Sequence, residues 1–248
     1  MDFEGHVYAM QRYVKFTQAK YDQLFKPGVA IQPICCFGDV RTATVVTVGV
    51  NPSVGEFENG HWPPEEMSHI PLARRCKSYF AADGVAPYHD FFTPWKQALA
   101  CLGTSYETGA AVHLDLSPRA SRYVREFREP FEQELFLEMI QRDLWVFFAT
   151  LDLCRNAKLL LIAGSVTGRY YINEFLQRFA PDYGYALGGA FDRGQCKGKG
   201  KTCWHELSSP SRKLPVFFCS CGPAANDPTV LPSRICHNAE ELRLRLKQ

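Results

Sequence analysis

The sequence predicts an α/β fold in which helices cover both faces of a short, mainly parallel, four-stranded central sheet, giving three layers, α/β/α. Strand-like and helix-like segments alternate along the chain, and no internal repeat or low-complexity linker interrupts them. The 248 residues are 46% apolar and 22% charged, as expected of a globular chain long enough for one large domain. We therefore expect a single α/β domain over residues 1–248.

The individual elements follow from the apolar pattern and its breaks, taken in chain order. A first helix is predicted over Tyr8–Phe25, because Lys26-Pro27-Gly28 then ends it. The β-branched run Thr44–Val50 predicts a strand buried on both faces. Prolines limit regular structure in a long insertion at about residues 58–88, although Met67–Ala82 has the pattern of a helix. The remaining predictions are helix Asp90–Leu102, strand Ala110–Leu116, helix Pro130–Cys154, strand Lys158–Gly164, helix Thr167–Phe179, strand Val216–Cys219 and helix Ala239–Lys247.

Composition also restricts the environment and the partners of the protein. No stretch reaches the roughly 18 apolar residues of a membrane span, and Met1–His6 lacks the basic-then-apolar pattern of a secretion signal. We therefore expect a soluble, cytoplasmic monomer without membrane contacts. The ten cysteines are then expected to be reduced thiols. With a net charge of +2, any nucleic-acid surface must be a local patch.

The loop after the first predicted strand carries the most informative residues of the chain. Gly49, Pro52 and Gly55 end the apolar run sharply, and they are interleaved with polar side chains. In open parallel sheets, ligands bind beyond the carboxyl ends of the strands. Asn51, Ser53 and Glu56 are therefore expected at a functional site, although Asn-Pro is also an ordinary turn pair.

This loop, Gly49-Val50-Asn51-Pro52-Ser53, resembles the first motif of the uracil-DNA glycosylase superfamily, which has the form Gly-x-Asn/Asp-Pro at a strand end. Phe91–Leu99 resembles the aromatic helix that follows in the family, and Leu159–Gly164 resembles a later strand. The resemblance spans roughly residues 40 to 230 and rests on the order and spacing of these segments. It implies one glycosylase-like domain that flips a base out of DNA and hydrolyses its N-glycosidic bond, leaving an abasic site.

The resemblance also implies roles for individual residues. Asn51 inherits the position beside the attacking water, but an amide cannot take a proton, so Glu56 is the candidate general base. The alternative for Glu56 is an exposed loop charge. Phe57 and, after it, Phe80 are nominated to stack on the base, although either could be a core residue. The candidate base-binding residues are Gly49, Val50, Pro52, Ser53, Phe57, Phe80 and Asp115.

Asp115 carries the prediction about the target base. Family members that excise uracil commonly place an Asn at the end of this strand, whereas a carboxylate only accepts hydrogen bonds and suits the amino group of cytosine. We therefore expect a modified cytosine, for example glucosylated hydroxymethylcytosine in phage DNA. Alternatively, Asp115 only caps the turn at Ser117-Pro118, in a uracil or mismatch repair enzyme. A second alternative is an inert relative that binds nucleic acid without cutting it. His113 shares a face with Asp115 and is expected to be a packed core histidine.

The loop after the last predicted strand departs from the family pattern. Many members have a His-Pro-Ser-Pro motif whose histidine stabilises the departing base, whereas Cys221–Asn226 contains no histidine. The stabilising group must then be a backbone donor, Asn226 or a residue elsewhere. The small side chains of this loop leave room for a bulky base substituent, although a permissive turn would have the same composition.

Three basic clusters are candidates for contacts with DNA phosphates, because neutralising phosphates supplies much of the affinity for nucleic acid. Any of them could instead be an ordinary solvated face. The candidate DNA-binding residues are Arg74, Arg75 and Lys77 in the insertion, Arg119 and Arg122 after the second strand, Lys197, Lys199 and Lys201 in a Gly-rich loop, and Gly222, Pro223 and Asn226 in the last loop.

The cysteines raise the question of a metal. The spacing of Cys196, Cys203 and His205 matches neither common zinc knuckles nor four-cysteine clusters, and Cys35-Cys36 is adjacent rather than separated as metal ligands usually are. Buried free thiols suffice to explain most of these positions. We therefore expect no metal and no cofactor.

Overall fold

The computed structural model describes residues 1–27, 32–58, 60, 62–63, 66–81, 87, 89–122, 126–167, 170–190, 202–223 and 227–247. Its helices are α1 (Phe3–Thr17), α2 (Gly55–Glu58), α3 (His69–Ser78), α4 (His89–Ala100), α5 (Pro130–Leu153), α6 (Ile172–Phe179), α7 (Val230–His237) and α8 (Ala239–Lys247), with 3₁₀ helices at Gln18–Leu24 and Ala180–Tyr183. Its strands are β1 (Val45–Gly49), β2 (Ala111–Asp115), β3 (Leu159–Ala163), β4 (Ser165–Thr167), β5 (Tyr170–Tyr171), β6 (Ala186–Leu187), β7 (Thr202–Ser209) and β8 (Arg212–Cys219).

The fold is α/β, and its main sheet is mixed and six-stranded, in the order β2-β1-β3-β8-β7-β6. Strands β2, β1, β3 and β8 run parallel to one another and overlap the four predicted strands. Strands β7 and β6 extend the sheet antiparallel, which the prediction of four strands missed. Pro215 lies within β8, opposite Glu206 of β7. Because proline is rare inside strands, it interrupted the strand signal in the sequence. A separate two-stranded sheet pairs β4 with β5.

Both faces of the parallel part of the sheet are covered. Every residue of β1, β2 and β3 is buried, as expected for parallel strands between helices. On one face, the α4 rings of Phe92 and Trp95 pack against His113 of β2. Among the described residues, no helix combines the length and the apolar character needed to cross a membrane.

Capping side chains set where two of the longer helices begin. Helix α1 starts at Phe3, before the predicted Tyr8, because the carboxylate of Asp2 accepts a hydrogen bond from the amide of Gly5 (2.8 Å). Helix α5 starts at Pro130, as predicted, because proline lacks the amide hydrogen that the first turn of a helix leaves unpaired.

Cys101 and Cys236 form a disulfide, so the expectation that all cysteines are reduced is wrong for this pair. Cys101 directly follows α4, Cys236 lies in α7, and their Cα atoms are 5.3 Å apart. The two cysteines are 135 positions apart in sequence, so no local pattern predicted their contact. The contact arises from the packing of α4 against α7. Of the other cysteines in the described part of the chain, all but Cys221 are buried.

A buried ion pair joins the segment after β2 to two helices. The guanidinium of Arg119 contacts the carboxylate of Asp143 in α5 (Nε to Oδ2, 3.0 Å) and the carbonyl oxygen of Val14 in α1 (3.3 Å). Arg119 is 1% exposed. The prediction that Arg119 binds DNA is therefore corrected, because its side chain is enclosed by protein. The positive charge of Arg119, which the sequence suggested for a phosphate contact, pairs with Asp143 inside the protein.

We expect Arg119→Ala to lower the free energy of unfolding by about 3–5 kcal/mol, because it leaves the charge of Asp143 buried without its partner. The control is Arg142→Ala, which removes an exposed, solvent-screened pair with Glu138 within α5 (2.8 Å) and should cost far less than the loss of Arg119. Denaturant unfolding of both variants measures the difference. Equal losses in the two variants would show that the buried pair does not hold these elements together.

Candidate active site

The strand ends of β1 and β2 bring together the residues that the sequence predicted for base binding. Parallel pairing places Gly49 directly opposite Asp115, and Thr47 opposite His113. A Cβ atom at Gly49 would lie 2.4 Å from Asp115 Oδ1 and 2.9 Å from His113 Nε2. The carboxylate of Asp115 therefore occupies the space that any side chain at Gly49 would fill. Only glycine allows this arrangement of the two strand ends.

A chain of buried hydrogen bonds orients Asp115. The Tyr106 hydroxyl contacts Thr47 Oγ1 (2.6 Å), Thr47 Oγ1 contacts His113 Nδ1 (2.8 Å), and His113 Nε2 contacts Asp115 Oδ1 (3.3 Å). If each hydroxyl donates toward the histidine, Nε2–H donates to the carboxylate and every polar atom of the chain is satisfied. His113 is thus a buried histidine, as expected, and it also positions Asp115. None of the described residues donates a hydrogen bond to Asp115 Oδ2, which leaves that oxygen for a ligand.

Asn51 is held by the segment that follows β2. Its Nδ2 group donates to the carbonyl oxygen of Arg119 (3.1 Å), to Ser121 Oγ (3.1 Å) and to the carbonyl oxygen of Pro52 (3.1 Å). These acceptors fix the amide group, and no described residue donates to its Oδ1. The loop itself is joined to the same segment by a bridge between Ser53 and Ser121. Asn51 can therefore present a fixed acceptor to a water molecule.

Glu56 lies in α2, and it is a buried carboxyl rather than an exposed loop charge. The Tyr79 hydroxyl donates a hydrogen bond to Glu56 Oε2 (2.6 Å). Burial raises the pKa of Glu56 to about 7, and the charge of Asp115 raises it further while the hydrogen bond from Tyr79 opposes the shift. A carboxyl with this pKa exchanges a proton near neutral pH, as a general base must.

These residues surround one small cavity at the carboxyl ends of β1 and β2. The cavity has a volume of about 10 Å³, which is room for about one water molecule. Its polar and aromatic walls are the two elements that recognition of a flipped base requires. The lining residues are Phe37, Asn51, Pro52, Ser53, Glu56, Phe91, Phe92 and Asp115.

The aromatic walls differ from the predicted ones. Phe57 does not line the cavity and instead stacks on Trp62, with ring centroids 6.4 Å apart. Phe80 is buried and stacks on Tyr106 at 4.3 Å, so its predicted role in base stacking is corrected to a core role. The cavity walls are formed by Phe37, Phe91 and Phe92 instead.

The sequence contained a signal for only part of this wall. Phe91 and Phe92 belong to the aromatic helix that the family resemblance identified, so their position was within reach of the prediction. Phe37 reaches the cavity because a single antiparallel bridge pairs it with His113. One isolated bridge leaves no periodic pattern in a sequence, so Phe37 could not be found from it.

The predicted DNA contacts are dispersed. On α3, Arg74 is exposed, the guanidinium of Arg75 lies 5.4 Å from the Trp62 ring, and the Lys77 ammonium lies 4.8 Å from the Phe3 ring. Arg122 pairs with Glu132 (2.5 Å). Of the set, Arg74 therefore offers its charge to solvent most openly. Lys197, Lys199, Lys201 and Asn226 lie outside the described residues.

The remaining predicted contacts, Gly222 and Pro223, lie just beyond β8. A Cβ atom at Gly164, which follows β3, would lie 3.3 Å from the Cα atom of Gly222. Gly164 also has a φ angle of 97°, which side chains rarely adopt. The loops after β3 and β8 thus touch through two glycines.

We expect Glu56→Gln to change how stability depends on pH. Between pH 4.5 and 7 the folded chain keeps a proton on Glu56 that the unfolded chain has lost. The stability that Glu56 contributes is therefore complete below pH 4.5 and is lost as the pH rises through 7, by on the order of 3 kcal/mol. Denaturant unfolding at several pH values measures this slope for wild type and variant. Glu126→Gln, an exposed glutamate, is the control, and equal slopes for wild type and Glu56→Gln would contradict the raised pKa.

Comparisons with known proteins give no family for this chain: no protein-family model matches it, and neither a curated protein nor a solved structure matches it.

Proposed function

We propose that this protein is a monofunctional DNA glycosylase that hydrolyses the N-glycosidic bond of a flipped base and leaves an abasic site. The observation that carries the proposal is the convergence of Asn51, Glu56 and Asp115 on one aromatic-walled cavity beyond the ends of parallel strands. Glycosylase chemistry needs a fixed water, a group that takes its proton and a polar contact to the base edge. The three side chains supply one of these each.

In this mechanism, Asn51 Oδ1 accepts a hydrogen bond from the water. The ionised form of Glu56 takes a proton from the water while the water oxygen attacks the sugar carbon. The bond between sugar and base breaks, and its electron pair leaves with the base nitrogen. Glu56 then gives up the proton that it took from the water, and the released base gains one proton, so the protons balance. The pKa of about 7 suits both transfers, because Glu56 can accept and return a proton at neutral pH.

The target base is the finer part of the proposal. Asp115 Oδ1 contacts His113 Nε2, so Oδ2 is left to accept a hydrogen bond from an amino group, whereas a carboxylate offers no donor to a carbonyl oxygen. An amino group at this edge identifies cytosine rather than uracil or thymine. We propose a cytosine that carries a bulky substituent, such as glucosylated hydroxymethylcytosine in phage DNA, because the loop after β8 contains the small Gly222.

The first experiment is release of free base, detected by mass spectrometry, from genomic DNAs that contain ordinary or hypermodified cytosine. We expect release by the wild type, and a loss on the order of 100-fold or more in Asn51→Ala and in Glu56→Gln. The control is Asn156→Ala, an exposed asparagine near the opposite end of the sheet, where it precedes β3. Binding to DNA without release of any base would contradict the proposal and favour an inert nucleic-acid-binding protein.

We expect Asp115→Asn to shift the preference from modified cytosine toward uracil by about tenfold, because an amide supplies both the donor and the acceptor that uracil requires. Release is measured from matched duplexes containing cytosine, hydroxymethylcytosine, glucosylated hydroxymethylcytosine or uracil. The exposed Asp182→Asn serves as the control. A wild type that prefers uracil would refute the choice of base while leaving the glycosylase proposal intact.

A further inference from the structure

Three buried thiols lie together, and none of them lines the cavity. The sulfur atoms of Cys35, Cys36 and Cys76 are all within 4.8 Å of one another. None of the three residues is more than 2% exposed. Cys35 and Cys36 precede the Phe37 bridge, whereas Cys76 lies on α3, so the fold brings the cluster together from two separate segments.

The spacing fits a metal ion bound by three thiolates. A metal–sulfur bond of about 2.3 Å places the sulfurs of a three-coordinate site about 4 Å apart, and no two sulfurs of the cluster are more than 4.8 Å apart. Among the described residues, no fourth Cys, His, Asp or Glu joins the group. Structural zinc almost always takes four ligands and an iron–sulfur cluster takes four cysteines, so the donor set favours a soft ion that accepts fewer ligands.

The three sulfur atoms offer one ligand atom each, and all three lie within 4.8 Å of one another. Metals bind thiolates rather than thiols, so binding of an ion would release protons from the cluster.

We propose that Cys35, Cys36 and Cys76 form a binding site for one soft, thiophilic metal ion, Cu(I) in preference to Zn(II). This departs from the expectation of no metal, which relied on the adjacent position of Cys35 and Cys36. Adjacent cysteines are unusual as a pair of ligands to one ion, but the third ligand comes from α3 and lies within reach of both.

The charge balance separates the two ions. Three thiolates carry three negative charges, so Zn(II) would leave one uncompensated charge and Cu(I) would leave two in a buried site. Cu(I) is therefore expected to displace fewer protons, with one sulfur remaining a thiol. The number of protons released on binding therefore distinguishes Cu(I) from Zn(II).

The site would also support the cavity. Cys36 directly precedes Phe37, which is a cavity wall, and Cys76 lies one helical turn before Tyr79, which donates to Glu56. An ion that links Cys36 to Cys76 would fix the distance between these two supports. The metal would act as a structural brace and would not touch the reacting base.

The test measures metal content and affinity in the intact protein. Elemental analysis counts the metal in the purified protein, and competition with a coloured chelator measures the affinity for Cu(I) and, separately, for Zn(II). We expect one ion per chain in the wild type, with a higher thermal unfolding midpoint than the metal-free protein. Cys76→Ser should weaken binding by more than about 100-fold, beyond the 10–100-fold that loss of an outer-shell partner costs.

The matched control is Cys154→Ser, which removes a buried free thiol elsewhere and should keep full affinity. If Cys76→Ser does not fold, as judged by circular dichroism, Cys36→Ser provides the same test. No binding by the wild type, or equal binding by Cys76→Ser, would overturn the proposal. Stoichiometric iron with acid-labile sulfide would overturn it as well, because it would indicate a cluster rather than a single ion.

Discussion

The site depends on one close approach, that of the Asp115 carboxylate to the bare backbone of Gly49. Parallel pairing of β1 with β2 fixes this contact, because it sets the two residues directly opposite each other. Because Gly49 has no side chain, the Asp115 carboxylate lies against its backbone and lines the same cavity as Asn51 and Glu56. A shift of the register by one residue would send Asp115 to the other face of the sheet. The geometry of the cavity is thus set by strand pairing before any loop conformation is considered.

Buried charge then acts in two different ways. The pair of Arg119 and Asp143 is fully enclosed and serves to hold a backbone carbonyl, that of Arg119, where it accepts from Asn51. Glu56 is also buried, and among the described residues it contacts no cation, so the low dielectric raises its pKa to about 7. Burial raises the pKa of Asp143 as well, but the charge of Arg119 and the hydrogen bonds from Ser117 and Arg119 oppose that shift. The cation therefore distinguishes the two buried carboxyls: Asp143 holds the segment that orients the Asn51 amide, and Glu56 titrates near neutral pH beside it.

Much of the framework could be predicted from the sequence, because it depends on local pattern. The four parallel strands, α8 and the strand-end loop follow from apolar runs and from glycine and proline breaks. The antiparallel extension could not, since Pro215 obscures β8 and the preceding basic segment suggests a loop. Likewise, Asn51, Glu56 and Asp115 were identified by their position at strand ends. The position of Phe37 in the cavity wall was not predicted, because Phe37 enters through an isolated bridge between residues far apart in sequence.

The small size of the cavity has a consequence for selectivity. A nucleobase is far larger than one water molecule, so the walls must separate before any base can enter. Phe91 is the partly exposed ring of the three, which makes it the wall residue best placed to move. The apparent affinity for every base is then the intrinsic affinity multiplied by the fraction of molecules that are open. Bases that make weak contacts inside cannot hold the pocket open. In the proposed glycosylase, a closed resting state therefore lowers the apparent affinity for all bases by the same factor, so that only a base with strong contacts inside the cavity is bound.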